Sequence, residues 1–282
     1  MKLAIASGKG GTGKTTLSVA LAQVADRPVQ LLDCDVEEPN SHLFFEQAAT
    51  DCEIVTVPVP RIDEQRCQHC GACGEFCAFN ALACLPTETV LFEGLCHSCG
   101  GCRLVCPHDA ISEQQQRIGV IRKARHGKID LFSGVLDVGL AMSPPLIRAL
   151  KRHQNDETLI LLDCPPGTSC PLSTTIQDAD MVLLITEPTP FGLHDLEIAV
   201  ETVRQLKRPI AVIINRSDLG DNSVTNYCRR ERIPVLLQLP YEKRVAVAYS
   251  RGEGLLDALP GLETQLEIVL QHAEKLYRES LS

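Results

Sequence analysis

Ser7-Gly8-Lys9-Gly10-Gly11-Thr12-Gly13-Lys14-Thr15-Thr16 follows a short apolar run at residues 3–6 and leads into helix-patterned sequence over residues 14–24. A strand that turns through glycines into a helix is built to hold phosphate. The helix start offers unpaired N–H groups and the positive end of its dipole. Gly8 and Gly13 take the two glycine positions of G-x-x-x-x-G-K-[ST], and Lys14-Thr15 complete it. In that pattern the loop from Gly8 through Gly10, Gly11, Thr12 and Gly13 to Thr16 surrounds the phosphates. Lys14 contacts the β- and γ-phosphates, and Thr15 takes Mg²⁺.

Outward from this loop, strand and helix patterns alternate. Apolar strand runs are expected at residues 29–33, 54–59, 158–162, 182–186, 210–214 and 235–239, and short strands or a hairpin at 118–124 and 128–138. Helices are expected at residues 144–152, 193–206 and 262–277. Continuous apolar strands separated by helices predict an α/β fold with a mostly parallel sheet covered on both faces. The series is broken once, by a cysteine-rich block with strands on either side of it. The expected organisation is therefore a discontinuous nucleotide domain, residues 1–60 and 117–282, interrupted by an inserted α+β domain at 61–116.

The block contains Cys67-Gln-His-Cys70-Gly-Ala-Cys73-Gly-Glu-Phe-Cys77 and Cys96-His-Ser-Cys99-Gly-Gly-Cys102-Arg-Leu-Val-Cys106. Both runs have the spacing C-x2-C-x2-C-x3-C, by which bacterial ferredoxins hold [4Fe–4S] clusters. The runs form an internal repeat whose offset is set by Cys67 and Cys96, and Cys77-Ala-Phe-Asn-Ala-Leu parallels Cys106-Pro-His-Asp-Ala-Ile. In two-cluster ferredoxins the fourth cysteine of each run serves the other cluster. Cluster I is thus assigned to Cys67, Cys70, Cys73 and Cys106, and cluster II to Cys96, Cys99, Cys102 and Cys77. Zinc is the competing occupant of C-x2-C pairs, but the doubled 2-2-3 spacing is not a zinc-finger layout. His69 and His97 lie between ligands as neighbours of the sites or as potential-tuning groups.

The chain has 282 residues, a formal charge of −9 and 14 cysteines. The acidic balance disfavours nucleic acid. No run reaches the length of a membrane span. Residues 1–6 pass straight into an apolar strand without the long hydrophobic stretch of a secretory leader. Eight of the cysteines are clustered as metal ligands are. A reducing cytoplasm is the expected compartment.

The stretch Lys9-Gly-Gly-Thr-Gly-Lys14-Thr15, with its second lysine, resembles the deviant Walker A loop of the MinD, ParA, Mrp and nitrogenase iron protein group. Together with the cysteine block, nearly the whole chain resembles MinD-superfamily ATPases containing an inserted ferredoxin domain. The resemblance implies that Lys9 reaches across a dimer to the partner's nucleotide. Asp33-Cys34-Asp35-Val-Glu-Glu-Pro-Asn40 resembles switch I, with Asp35 orienting the attacking water. Asp163-Cys-Pro-Pro-Gly167-Thr-Ser resembles Walker B and switch II, with Asp163 holding Mg²⁺ through water. Asn215-Arg216 and Pro240-Tyr241-Glu242 resemble the two sides of the adenine pocket. The segment from Glu187 to Asp195 is read as a capped helix start or as a switch or interface element. Cys170 lies in a place similar to that of a cluster-bridging cysteine in the nitrogenase iron protein, and the resemblance makes it a candidate for a third, intersubunit site. The late C-x-x-C of Mrp-type carriers is absent, since Cys228 is the only cysteine after Cys170.

The resulting expectation is a slow Mg²⁺-dependent ATPase with ATP and two [4Fe–4S] clusters as cofactors. Nucleotide-driven dimer switching would be coupled to electron transfer. The alternatives are a cluster or metallocofactor assembly ATPase and a redox-sensing regulatory ATPase. Expected partners are a second copy or a related ATPase, and a redox protein or an apo-metalloprotein. Residues 262–277 and their surroundings carry Glu263, Glu267, Glu274 and Glu279 against Lys275 and Arg278. That acidic end is unsuited to docking on a membrane.

Overall fold

The computed structural model describes residues 1–45, 51–140 and 142–281. Two compact units divide the chain: Met1–Cys52, Ile121–Val135 and Ile147–Ser282 form one, and Glu53–Val120 with Leu136–Leu146 form the other. In chain order the elements are β1 (Lys2–Ala6), α1 (Lys14–Val24), β2 (Val29–Asp33), β3 (Asp51–Ile62), α2 (Ala72–Phe76), β4 (Leu82–Cys84), β5 (Thr89–Leu91), α3 (Gly101–Leu104), β6 (Ile111–His126) and β7 (Ile129–Leu136). They continue with α4 (Pro144–Lys151), β8 (Leu159–Asp163), α5 (Cys170–Ile176), β9 (Met181–Thr186), α6 (Pro190–Gln205), β10 (Ile210–Asn215), α7 (Ser223–Arg230), β11 (Val235–Leu239), α8 (Lys243–Tyr249), α9 (Leu255–Ala258) and α10 (Glu263–Ser280).

The first unit is built on a sheet of order β11-β10-β9-β1-β8-β2-β7. Every one of these pairings is parallel. Strands β2, β8 and β9 are buried along their whole length. Apolar runs without a polar face fill a sheet covered on both sides, and that is how these residues are used. One core layer gathers Leu3, Ile5, Leu17, Leu21, Leu31, Leu161, Leu183 and Ile213 with Leu266, Val269 and Leu270 of α10. The buried positions of α10, Leu266, Val269, Leu270 and Ala273, recur at helical spacing, so one stripe of the helix faces the core. Because all the strands run the same way, Asp33, Asp163 and Asn215 end β2, β8 and β10 at one rim of the sheet. Asp33 stands beside Asp163 in register. The carboxyl rim of an open parallel sheet is where such folds bind ligands.

The second unit is a duplicated half. Helices α2 and α3 each follow a left-handed glycine, Gly71 at φ 84° and Gly100 at φ 72°. Left-handed backbone recurs at His69 and Ser98 and again at Asn80 and Asp109, each pair at the offset that relates Cys67 to Cys96. The halves also exchange backbone bonds. The Asp63 N–H donates to the Ala110 carbonyl at 2.8 Å, and its counterpart Phe92 donates to Ala81 at 2.8 Å. The core between them is small, comprising Cys73, Leu82 and Ile111 with Ile62, Leu91, Cys84, Cys102 and Cys106 around it.

Three elements differ in extent from their sequence patterns. Strand β3 runs to Ile62 through Pro58 and Pro60. Among the described residues it is the last strand in its sheet, bordered by β6 alone, and an edge strand tolerates the missing N–H groups. Strand β6 begins at Ile111, well before the apolar run at 118. Helix α6 starts at Pro190, where Thr189 caps it by accepting the Gly192 N–H at 3.0 Å.

Candidate functional site

The loop between β1 and α1 closes over a helix start. The first helical bond joins the Leu17 N–H to the Gly13 carbonyl at 3.0 Å. The N–H groups of Lys14, Thr15 and Thr16 therefore precede the helical ladder and face the loop. Gly13 has φ 96°, and a Cβ there would stand 3.0 Å from the Asn215 amide nitrogen. Only glycine meets both demands. Lys14 is buried and folds back so that Nζ lies 3.5 Å from the Lys9 carbonyl. Thr12 Oγ1 is buried without a hydrogen-bond partner among the described residues. A buried orphan hydroxyl in a ring of helix-start amides fits an anionic ligand.

Three carboxylates meet at the rim. Asp163 is fully buried, and Ser18 Oγ lies 3.1 Å and Ser41 Oγ 3.4 Å from its two oxygens. Burial raises its pKa to about 6 against the opposing effects of Thr15, Lys14, Ser18 and Ser41. Asp33, also fully buried, accepts the N–H groups of Asn40 at 3.0 Å and Ser41 at 2.9 Å. Burial first and the charge of Asp163 second hold its pKa well above the ordinary carboxylate value. Half-buried Asp35 is raised to about 6, chiefly by burial and then by Asp163, while Lys14 pulls the other way. Three acids raised by burial, two of them also by the charge of Asp163, suit a divalent cation, which supplies the charge they lack.

Lys9 does not point into open solvent. Its Nζ lies 2.9 Å from Glu187 Oε2, and the Arg216 guanidinium binds the other oxygen at 2.7 Å. Arg216 holds left-handed backbone at φ 51°. Asn215 braces the loop: its Nδ2 donates to the Thr12 carbonyl at 2.8 Å, and its Oδ1 accepts the Arg216 N–H at 2.9 Å. Pro240, Tyr241 and Glu242 follow β11. The Tyr241 N–H donates to Asp218 at 2.6 Å, and the Ser217 N–H to Leu239 at 2.8 Å, which ties the loops after β10 and β11 together. Cys170 is exposed at the start of α5, whereas Cys34, Cys164 and Cys228 are buried. Sequence reasoning gave no role to Ser18 or Ser41, and placed Asn40 only as the end of the stretch resembling switch I. Ser18 sits one helical turn after Lys14, which was a legible signal; Ser41 and Asn40 reach the acids only through the path of their loop.

In the second unit the cysteines line two cavities. Cys67, Cys70, Cys73 and Cys106 border one, and Cys77, Cys96, Cys99 and Cys102 border the other. Each cavity thus takes three cysteines from one run and the last from the other. The Ala81 N–H points to Cys77 Sγ at 3.3 Å, and at the matching place in the other half the Ala110 N–H points to Cys106 Sγ at 3.3 Å. Such amide donors stabilise thiolates. Ser98 Oγ is buried on the second cavity without a partner among the described residues. Phe79 stacks on His97 with ring centroids 3.5 Å apart. Among the described residues no three His, Cys, Asp or Glu side chains converge as ligands of a single ion. A [4Fe–4S] cubane asks for a different arrangement, since each thiolate binds its own iron and the four ring a space. The donor set, the amides and the orphan hydroxyl fit that group.

The family model of the CobQ/CobB/MinD/ParA nucleotide binding domain matches residues 3–256. The chain belongs to this family. Its fold is the α/β fold of these P-loop ATPases. The septum site-determining protein MinD of Pyrococcus horikoshii, solved with Mg-ADP, superposes with a TM-score of 0.56 at 19% identity, covering 99% of this chain and 97% of that one. Two uncharacterized proteins of Methanocaldococcus jannaschii are similar. One is 34% identical over 227 residues, 78% of this chain and 80% of its own. The other is 29% identical over 267 residues, 91% of each. An iron–sulfur cluster carrier protein of Helicobacter pylori is 24% identical over 91% of this chain and 61% of its own length. Among the described residues no helix is long and apolar enough to cross a membrane.

Proposed function

We propose that this chain is a Mg²⁺-dependent ATPase that couples nucleotide-driven dimer switching to electron transfer through two [4Fe–4S] clusters. The observation that carries the proposal is the pair of cavities, each lined by three cysteines of one run and the fourth of the other. When bound, the clusters supply one-electron chemistry. Cys67, Cys70, Cys73 and Cys106 hold one, and Cys96, Cys99, Cys102 and Cys77 the other. With all eight thiolates committed to two sites, the arrangement suits retention of clusters more than their donation.

In the nucleotide unit, the amides from Gly10 to Thr16 and the Lys14 ammonium hold the phosphates. Thr15 and Asp163 hold Mg²⁺, with Asp33 beside them. Asp35 orients the attacking water. Lys9 leaves Glu187 to reach the nucleotide of a partner, either a second copy or a related ATPase. Asn215, Arg216 and the Pro240-Tyr241-Glu242 loop border the base. The chain works in the cytoplasm, away from membranes and nucleic acid, beside a redox protein. Anaerobically purified protein is expected to contain about eight irons and eight sulfides, four of each per cluster. It should also release phosphate from MgATP. Protein that folds and binds nucleotide but never takes up iron and sulfide overturns the proposal.

The similarity to an iron–sulfur cluster carrier favours a second reading, a cluster-assembly ATPase. It predicts that clusters pass to an apo-ferredoxin on ATP addition, whereas the electron-transfer reading predicts that they stay.

A further inference from the structure

Cys84 belongs to neither cysteine run, yet it stands inside the first site. Its Sγ lies 3.5 Å from Sγ of Cys73, and it borders the same cavity as Cys67, Cys70, Cys73 and Cys106. The β4–β5 hairpin puts it there. Cys84 pairs with Thr89 across that hairpin. The Thr89 hydroxyl lies 3.6 Å from Cys67 Sγ and 3.4 Å from His69 Nδ1. One edge of the hairpin thus faces two of the ligand sulfurs. Gly74 makes the room, because a Cβ at this position would sit 3.2 Å from Cys84 Sγ and 3.3 Å from the Leu82 carbonyl.

The internal repeat shows that this is particular to one site. In the second half of the repeat, Arg103 stands in the place of Gly74 and Glu113 in the place of Cys84. They form an ion pair at 3.8 Å. Glu113 borders the second cavity, where the first has a thiol. Two otherwise matched sites therefore differ in the number of sulfurs they offer.

We propose that Cys84 is a reserve ligand of the first site, able to take the iron that Cys73 holds. The inference rests on the assignment of a [4Fe–4S] cluster to Cys67, Cys70, Cys73 and Cys106. The exchange balances without electrons: the Cys84 thiol gives up a proton and its sulfur bonds to iron, while the Cys73–iron bond breaks and Cys73 takes up a proton. Sulfurs in van der Waals contact exchange with a side-chain rotation and little backbone movement. The first site then survives loss or chemical modification of Cys73. Among the described residues the second cavity has no fifth thiol, so loss of Cys102 costs it the cluster. With Cys73 bound, the Cys84 S–H is placed to donate to the Cys73 sulfur, and such hydrogen bonds set cluster potential.

Iron and acid-labile sulfide are to be counted in the full chain purified anaerobically, in wild type, Cys73→Ala, Cys73→Ala/Cys84→Ala and Cys102→Ala. Wild type and Cys73→Ala are expected to hold about eight irons, and the double variant and Cys102→Ala about four, the content of one cluster. Cys73→Ala falling to the iron content of the double variant overturns the proposal. A second measurement keeps the test open if Cys73→Ala does not fold. Cys84→Val leaves all eight assigned ligands in place, so it should keep its iron, shift one of the two redox couples to lower potential and leave the other unmoved. Loss of iron from Cys84→Val, or two unmoved couples, contradicts a reserve ligand in contact with Cys73. Wild type without iron and sulfide overturns the cluster assignment itself, an outcome distinct from either.

Discussion

Asp33 and Asp163 share a position in register on adjacent strands and lie in the interior, where a carboxylate is costly without a cation. Burial raises Asp163 and Asp35 from 3.8 to about 6. A carboxyl raised in the fold binds protons there that the unfolded chain has lost. Stability is then greatest below 3.8 for these groups and falls as pH rises to about 6. The metal-free protein should melt at a higher temperature near pH 5 than near pH 7. Mg²⁺ with nucleotide should raise the midpoint more near pH 7. Equal gains at both pH values in calorimetry would mean that these acids do not meet the cation. The two lysines of the loop separate by role. Lys14→Ala should abolish binding of a fluorescent ATP analogue. Lys9→Ala should bind it within a few-fold of wild type and lose about 10³-fold in phosphate release, the scale of a charge supplied in trans. Normal turnover by Lys9→Ala would refute the trans role. Glu187, which pairs with Lys9 at 2.9 Å, gives that lysine a resting partner in the single chain.

At the scale of elements, what was legible followed from local chemistry. The apolar runs of β1, β2, β8, β9 and β10 announce a buried parallel sheet, since no polar alternation interrupts them. The loop at 7–16 states its phosphate chemistry in its own spacing. The cysteine runs announce a repeat that the backbone dihedrals at His69 and Ser98 and at Asn80 and Asp109 follow. Long-range pairings were not legible. The bonds from Asp63 to Ala110 and from Phe92 to Ala81 join residues that no local pattern connects. The Cys84–Cys73 contact depends on a hairpin register and a missing side chain at Gly74. The span of β3 through two prolines depends on its edge position. Helix α10 is held by its apolar stripe, so Leu266→Ala should cost about 2–5 kcal/mol, the range for a buried leucine. Urea titration of the protein's ellipticity should show the loss, with iron content unchanged. A change under about 1 kcal/mol would mean that α10 contributes little to the core.

In the proposed function, nucleotide binding and cluster reduction are two coupled chemistries of one molecule. Such coupling is reciprocal: if bound nucleotide changes the reduction equilibrium by some factor, reduction changes nucleotide affinity by the same factor. In the single chain, Glu187 pairs with both Lys9 and Arg216. In the proposed function, dimer closure around ATP would replace these pairs, and the free energy of closure would then be available to bias the redox state. The measurement that tests this directly is a potentiometric titration followed by EPR on anaerobically purified protein, with and without a non-hydrolysable MgATP analogue. The predicted result is a shift of at least one cluster couple by a tenfold change in equilibrium, about 59 mV for one electron, or more. Couples that stay in place with the nucleotide site saturated would contradict thermodynamic coupling between nucleotide and cluster.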